Sequence, residues 1–537
     1  MKIRSSSTLL AACLCTLFSV TALAQATTAT GTPPLKGATP TDTWDQEPMI
    51  GMYVHQHWSY NHPYAARTWT YDDWTGYMDG LKKIGFNTVL IWPVLETMPN
   101  PLTQSDRENL EKLRKVIDFA HDKLDMRVLI TLCPNVIAKN EEARKYKFVE
   151  RPFFYTDLRV NPGDAVEMGK MMAFREEIFQ PLKKADGVLI IDSDPGGYPG
   201  SDNLEFANLL NMHGTMLHKL NPKMELYYWI HAGWEAYCRF YETAEFAMGT
   251  DEEVREAIAL LAKVNPEPWG LASGRGPDIA NELGQKGRVM SYQYGGIEGE
   301  PSFPLTNFLT ERAYVTATQR GVRGVMGNAQ THAVQLPNTF MFARGATGQP
   351  NPTMADYTAF AERLLPGHGE AIVRGWEAIN SIDAPFVRAA LDALRPMLAE
   401  DLKTGDLKGL LFGDAKRFVN DLIMMLESRA TLEELHLAVQ AGLEKPELGL
   451  KLQAFVTAVS TWQKAHDYKN NWVWARMEEP LMKIDPATYG PFFQQRSYKG
   501  EGNTPFEQVV NGYKTVETFT PRLLEAMQKS ATQLQQN

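Results

Sequence analysis

The sequence predicts an α/β fold, a (β/α)8 TIM barrel followed by an all-α helical C-terminal domain, and three observations carry that expectation. From residue 48 onward, short apolar runs alternate with amphipathic helical stretches, each cycle about 30–50 residues long. The alternation yields eight strand candidates over about 290 residues, the count and size of such a barrel. Beyond about residue 355 the apolar strand runs cease and helical periodicity takes over.

At the N-terminus, Lys2 and Arg4 precede the apolar run "TLLAACLCTLFSVTALA", which ends in Ala22-Leu23-Ala24 before Gln25. That is the layout of a secretory signal peptide, so residues 1–24 are expected to be removed and the chain exported, to a periplasm or beyond it. "LAAC" at 10–13 imitates a lipoprotein cleavage site, but too little apolar sequence precedes it to favour anchoring. Residues 25–47, rich in Thr, Ala, Pro and Gly, read as a flexible leader. The barrel is assigned to 48–354 and the helical domain to 355–537.

The strand candidates are "MIGMYVHQHW" (49–58), "FNTVLIWPVLE" (86–96), "MRVLITLCPN" (126–135), "GVLIIDSD" (187–194), "MELYYWIHAGW" (224–234), "PWGLASG" (268–274), "RVMSYQYGG" (288–296) and "VRGVMGNAQTH" (322–332). Between them lie amphipathic helices such as "TYDDWTGYMDGLKKIG", in which Trp74, Tyr77, Met78 and Leu81 recur at helical spacing and Gly85 ends the run. An open doubly wound sheet would carry a Gly-rich phosphate loop after its first strand, and "VHQHWSYNHPY" is nothing like one. Helices such as "APFVRAALDALRPMLAEDL" and "ELGLKLQAFVTAVSTWQKAH" fill the C-terminal part.

Composition narrows the function. The formal net charge of −10 grows more negative once Lys2 and Arg4 leave, which disfavours nucleic acid as a partner because its binding rests on Lys and Arg against phosphate. After the leader, no run approaches the ~20 apolar residues of a membrane helix. Cys133 and Cys238 are the cysteines left after processing, and both are expected to be buried free thiols rather than a disulfide.

A barrel of this type places its active site at the C-terminal ends of the strands. Those ends supply His55 and His57, then Trp92 and Glu96, then Asn135, then Asp192 and Asp194. The later strands supply Trp229, His231 and Trp234, then Arg275, then Tyr292 and Tyr294, and finally Asn328, Gln330 and His332. Residues two apart on a strand share a face, so each pair can project into one pocket. Aromatic walls with amide and imidazole groups suit a sugar ring, whose C–H faces stack while its hydroxyls need directional partners. Carbohydrate is therefore the expected substrate, with no cofactor and no metal. Asp192 and Asp194 can divide glycosidase work, one protonating the leaving oxygen while the other stays ionised. In an i, i+2 relation they stand too close for an inverting water, and suit assistance by a 2-acetamido group of the substrate. The plain alternative is that Asp192 caps the strand and Asp194-Pro195-Gly196 makes a turn.

The stretch "DGVLIIDSDPGGYPGS" resembles the fourth-strand signature of chitinases and their relatives, and "VMSYQY" is similar to their later Met-x-Tyr element. The wider group of retaining, substrate-assisted hexosaminidases shares the pattern, and O-GlcNAcase-like enzymes also carry a helical domain after the barrel. The resemblance implies a glycoside hydrolase in which Asp194 is the general acid, Asp192 orients the acetamido group, Tyr292 or Tyr294 contacts it, and Trp229 or Trp234 forms a stacking floor. Glu96 is the second choice for the acid. The chain departs from the group in its Asp-Ser-Asp spacing and the following "PGG", where relatives have adjacent acids or a longer acidic series.

Two rival functions follow from other residues. His55-Gln56-His57 with His231 resembles part of the ligand set of metal-dependent amidohydrolases, although "LASGRG" and "GNAQTH" lack the remaining His and Asp. A barrel that binds glycan without cleaving it would use the same aromatic rim. Arg275 leaves room for a substrate carboxylate such as a uronic acid.

Overall fold

Eight strands of four to seven residues, apolar on both faces, can bury themselves only by closing on one another beneath a coat of helices. The computed structural model describes residues 47–56, 61–153, 157–193, 195–264, 269–273, 278–280, 288–293, 308–310, 314–328, 333–467, 475–494 and 500–536. Its barrel strands are β1 (Met49–His55), β2 (Thr88–Trp92), β3 (Arg127–Leu132), β6 (Gly187–Ile191), β7 (Glu225–Trp229), β8 (Trp269–Ser273), β9 (Val289–Tyr292) and β10 (Gly324–Asn328). They pair in parallel in that order, and β10 closes the ring on β1. A two-stranded antiparallel hairpin, β4 (Val136–Ala138) with β5 (Asp157–Arg159), follows β3 and was not expected from the sequence.

The strands are shorter than the apolar runs suggested. The run 224–234 holds a strand only to Trp229, after which Trp234 begins a helix, and the run 187–194 ends as strand at Ile191. Register then decides which side chains enter the lumen. His55 pairs with Trp92, Tyr53 with Asn328, and Ile191 with Trp229, so each couple points the same way. The ring of Trp229 lies 4.7 Å from that of Tyr53 and 5.2 Å from that of Tyr292, which marks this side as the lumen.

Around the barrel run α1 (Tyr71–Lys83), α2 (Gln104–Phe119), α3 (Ala165–Phe179), α4 (Asn203–Leu220), α5 (Trp234–Thr243), α6 (Asp251–Val264) and α7 (Leu336–Ala346). Helix α1 starts on a reciprocal cap between Thr70 and Asp73 and buries Trp74, Tyr77, Met78 and Leu81, as its periodicity predicts. It ends with Gly85 N–H on Lys82 O and Phe86 N–H on Leu81 O, and Gly85 takes φ +110°, where a side chain would be strained. Helices α8 (Met354–Leu364), α9 (Gly369–Ile379), α10 (Ala384–Leu394), α11 (Ala415–Gln440), α12 (Lys445–His466), α13 (Ala475–Ile484), α14 (Pro486–Gln494) and α15 (Pro505–Gln536) follow. Among the described residues, no helix is long and apolar enough to cross a membrane. Cys133 and Cys238 are buried free thiols.

The apolar core of the barrel continues without a break past residue 354, through Trp376, Leu394 and Leu410 to the first half of α11, where Phe418, Leu422 and Leu426 belong to it. The second half of α11 contributes Leu432 and Leu435 to a different core, shared with Leu452 and Phe455 of α12 and with Leu523 and Met527 of α15. The segment after β1 is held from the same side. Asn61 N–H donates to His466 O, and the Asn61 amide donates to the carbonyls of Lys464 and Ala465. Tyr64 Oη donates to Asp421 at 2.7 Å, Asp421 pairs with Arg417, and the Tyr64 ring lies 4.0 Å from the His466 ring.

Candidate active site

The C-terminal end of the lumen gathers part of the predicted set. His55, Trp92, Trp229, Tyr292 and Asn328 all sit on the inward side of their strands, and Tyr53, which the sequence did not single out, stands among them. Tyr53 could have been found by the alternation that selected His55, two residues further on. Asn328 Nδ2 donates to His55 Nε2 at 3.0 Å, which fixes the imidazole as the tautomer protonated on Nδ1. Beside them, Ser193 Oγ lies 2.6 Å from His231 Nδ1. Among the described residues here, Trp229 Nε1 and Asn328 Oδ1 are buried and take no hydrogen-bond partner. A spare donor and a spare acceptor against aromatic walls are what hydroxyls of a bound ring would meet.

Asp192 is placed otherwise than the sequence suggested. It follows inward-facing Ile191, so its side chain turns to the helix side of the wall, and it is wholly buried. Tyr228 Oη donates to Oδ2 at 2.9 Å, and Gly233 N–H donates to the same oxygen at 2.9 Å. The N–H groups of His231 and Ala232 both donate to Oδ1 at 3.1 Å. Tyr228 itself packs edge-on against Phe206 of α4. Four donors leave the carboxyl nothing to offer a substrate, and an apolar strand cannot reveal this because its inward and outward residues look alike. Burial pushes the Asp192 carboxyl above the usual range, against the pull of the His231 charge and of these hydrogen bonds. Asp192 thus ties the end of β6 to the turn that enters α5, whose first turn also favours a negative charge.

Three more predicted residues serve the walls. Trp234 stacks on Phe206 at 4.5 Å and donates from Nε1 to Ser201, away from the lumen. Asn135 is buried and donates to the carbonyls of Val160 and Gly197, joining the hairpin to the loop after β6. Glu96 sits in a short turn after β2 and accepts from Cys133 N–H, while its other oxygen has no partner. Burial raises its pKa, and Arg175, which lines the same small apolar cavity with Leu132, Val136 and Phe174, lowers it. Arg175 is spent on the carbonyls of Cys133, Pro134 and Val136 and on His213.

His57, Asp194, Arg275, Tyr294, Gln330 and His332 lie outside the described residues. The chain on either side of Asp194 is fixed. Gly196 passes so close beneath the Asp192 carbonyl that a Cβ would stand 2.5 Å from its oxygen, and Gly197 takes φ +76° against the rings of Tyr237 and Tyr241. Among the described residues, no group of three His, Cys, Asp or Glu side chains could hold a metal ion.

No family model matches the chain, and no curated protein matches it in sequence. Solved structures similar in fold are glycoside hydrolases. A GH138 enzyme targeting pectin rhamnogalacturonan II aligns over 91% of this chain and 83% of its own, at 9% identity and a TM-score of 0.48. A family 89 glycoside hydrolase from Clostridium perfringens, in complex with 2-acetamido-1,2-dideoxynojirmycin, aligns over 91% of this chain and 63% of its own, at 10% identity and a TM-score of 0.45. An O-GlcNAc hydrolase mutant of Thermobaculum terrenum aligns over 92% and 95%, at 11% identity and a TM-score of 0.41.

Proposed function

We propose that the chain is an exported glycoside hydrolase that cleaves a glycosidic bond in an oligo- or polysaccharide, with Asp194 as the proton donor. The observation that carries this is the lumen rim. There Trp92, Trp229, Tyr292 and Tyr53 form apolar walls around the His55–Asn328 and Ser193–His231 pairs. A pyranose ring would stack on Trp229 while the indole N–H and Asn328 Oδ1 take its hydroxyls. Asp194 follows Ser193 directly in the sequence, and protonation of the glycosidic oxygen by this acid would let the aglycon leave as an alcohol. Asp192 acts in this scheme by holding the His231 turn, so stabilisation of the anomeric centre falls to the substrate's own 2-acetamido oxygen, with Tyr292 as its contact.

The test is a panel of aryl glycosides, with and without a 2-acetamido group, offered to the wild-type chain and to the Asp194→Asn and Glu96→Gln variants. Turnover lost in Asp194→Asn and kept in Glu96→Gln supports the assignment, and full activity in Asp194→Asn sinks it. Equal turnover of sugars lacking the acetamido group removes the substrate-assisted step. Export rests on the N-terminal pattern alone and is checked by sequencing the mature protein, which should begin at Gln25.

A further inference from the structure

Inward side chains of the barrel stack in levels, and the levels say how deep a ligand can go. In a barrel of this tilt the register steps down by about one residue per strand, so alternate strands contribute to layers of four. Tyr53, Trp229 and Tyr292 are inward on β1, β7 and β9. Tyr53 to Trp229 is 4.7 Å between rings, Trp229 to Tyr292 is 5.2 Å and Tyr53 to Tyr292 is 6.2 Å, which makes the three one layer. Its fourth place falls to β3. Thr131 pairs with Leu189, and Leu189 pairs with Tyr227, two residues below Trp229. The descent from β3 to β7 therefore puts Thr131 level with Trp229. Thr131 is the one uncharged polar residue of the β3 run "RVLITL". It is wholly buried, and among the described residues its Oγ1 takes no hydrogen-bond partner. The next layer down is Leu90, Leu189, Ala272 and Met326, wholly buried and apolar. A hydroxyl finds nothing to bond there.

We propose that this layer is the closed end of the substrate pocket, and that Thr131 is a specificity-determining residue whose hydroxyl meets the sugar hydroxyl entering deepest. The inference rests on the carbohydrate reading of the site and deepens it. The three rings touch one another, so the β3 quarter of the layer belongs to its smallest side chain, and a ring substituent finds its room there. Trp229 Nε1 only donates and Asn328 Oδ1 only accepts, whereas a threonine hydroxyl does both, as a sugar hydroxyl does. A buried hydroxyl left unmatched costs stability that a valine of the same shape would not cost. The polar atom at this level is therefore explained by what binds against it.

The experiment compares the wild-type chain with Thr131→Val and Thr131→Ser. Titration calorimetry measures binding of glucose, galactose, N-acetylglucosamine and N-acetylgalactosamine, then of the monodeoxy analogues of whichever binds wild type most tightly. Thr131→Val is expected to weaken that sugar by about fivefold to tenfold and Thr131→Ser by less than about threefold. One monodeoxy analogue should bind wild type more weakly by the same factor and lose no more in Thr131→Val, which couples the two hydroxyls. The thermal midpoint of Thr131→Val should stand at or above that of wild type. Equal affinities in wild type and Thr131→Val, no analogue that shows the coupling, or no binding of the four sugars to wild type overturns the proposal. A lowered midpoint in Thr131→Val overturns it as well, since the hydroxyl then serves the fold. Turnover of aryl glycosides keeps the two readings apart. Binding that depends on Thr131 without turnover of any aryl glycoside refutes the hydrolase assignment and leaves the pocket standing. Turnover with a wild-type KM in Thr131→Val refutes the role of Thr131 alone.

Discussion

Tyr228 of β7 and Asp192, the residue that follows β6, meet phenol to carboxylate at 2.9 Å on the side of the barrel wall that faces the helices. The pair accounts for one of the two acids that end β6. It holds the turn from His231 to Gly233 by the backbone, and through that turn it sets the imidazole that meets Ser193.

The two aspartates should therefore fail in different ways. In Asp192→Asn an amide N–H replaces one acceptor among four donors, and buried polar groups left unmatched cost about 1–3 kcal/mol each. The thermal midpoint should fall clearly, and kcat of the folded enzyme far less than in Asp194→Asn. Asp194→Asn should show the reverse, with the midpoint near wild type and turnover lower by about 100-fold or more. Thermal melts beside initial rates check both, and a wild-type midpoint in Asp192→Asn contradicts the capping role.

Gly197→Ala tests the loop itself. The residue holds φ +76°, and an added Cβ would press at 3.1 Å on Tyr237 and Tyr241. A loss of about 1–2 kcal/mol is expected from the backbone strain alone. Differential scanning calorimetry should register it as a lowered midpoint.

Trp229→Phe keeps an aromatic ring between Tyr53 and Tyr292 and removes the unpartnered indole N–H. One neutral hydrogen bond to substrate is worth about 1 kcal/mol, so KM should rise roughly fivefold to tenfold with kcat little changed. Steady-state kinetics on the best aryl glycoside decide it, and an unchanged KM removes Trp229 Nε1 from the binding contacts.

His466 gives a pH dependence. Burial pushes its pKa down to about 3, with Arg417 acting in the same direction, so the folded chain keeps the ring neutral where the unfolded chain protonates it. A folded pKa below the unfolded one costs stability as pH falls from about 6.5 toward 3, at about 1.4 kcal/mol per pH unit. Asp421, 3.9 Å away and raised to about 6 by burial, runs the opposite way, since its protonated form is favoured in the folded state. Tyr64 and Arg417 complete the cluster. In His466→Gln the stability lost between pH 7 and pH 5 should shrink by about 1–2 kcal/mol relative to wild type, read by urea unfolding at both values.

The barrel was legible because each strand is a burst of apolar residues between helices with clear caps, and Thr70 with Asp73 marks such a start. Strand ends were less legible. In "MELYYWIHAGW" the apolar letters run on into α5, because Trp234 is buried against Phe206 as thoroughly as Trp229 is against Tyr53. The side on which a residue falls was hidden for the same reason. Val188 to Ile191 are apolar whether they face lumen or helix, so nothing in the letters says that Asp192 continues the outward series. The aromatic and imidazole residues fared better, since Trp92, Trp229, Tyr292, His55 and Asn328 do share the lumen. Glu96 and Asn135 were drawn in by position alone, and their side chains are taken up by the ends of β3 and its neighbours.

Helix α11 gives half its length to each of the two apolar cores. A chain stopped at residue 354 would leave the outer faces of α1 and α7 looking for partners that the later helices supply, and α11 cannot be cut without opening one core or the other. The barrel is consequently a poor candidate for transplantation. Shuffling it onto another C-terminal module would demand a matching surface along its whole flank, so drift in this lineage should be expected at loop tips, with the boundary between strands-and-helices and helices-alone changing only in concert on both sides.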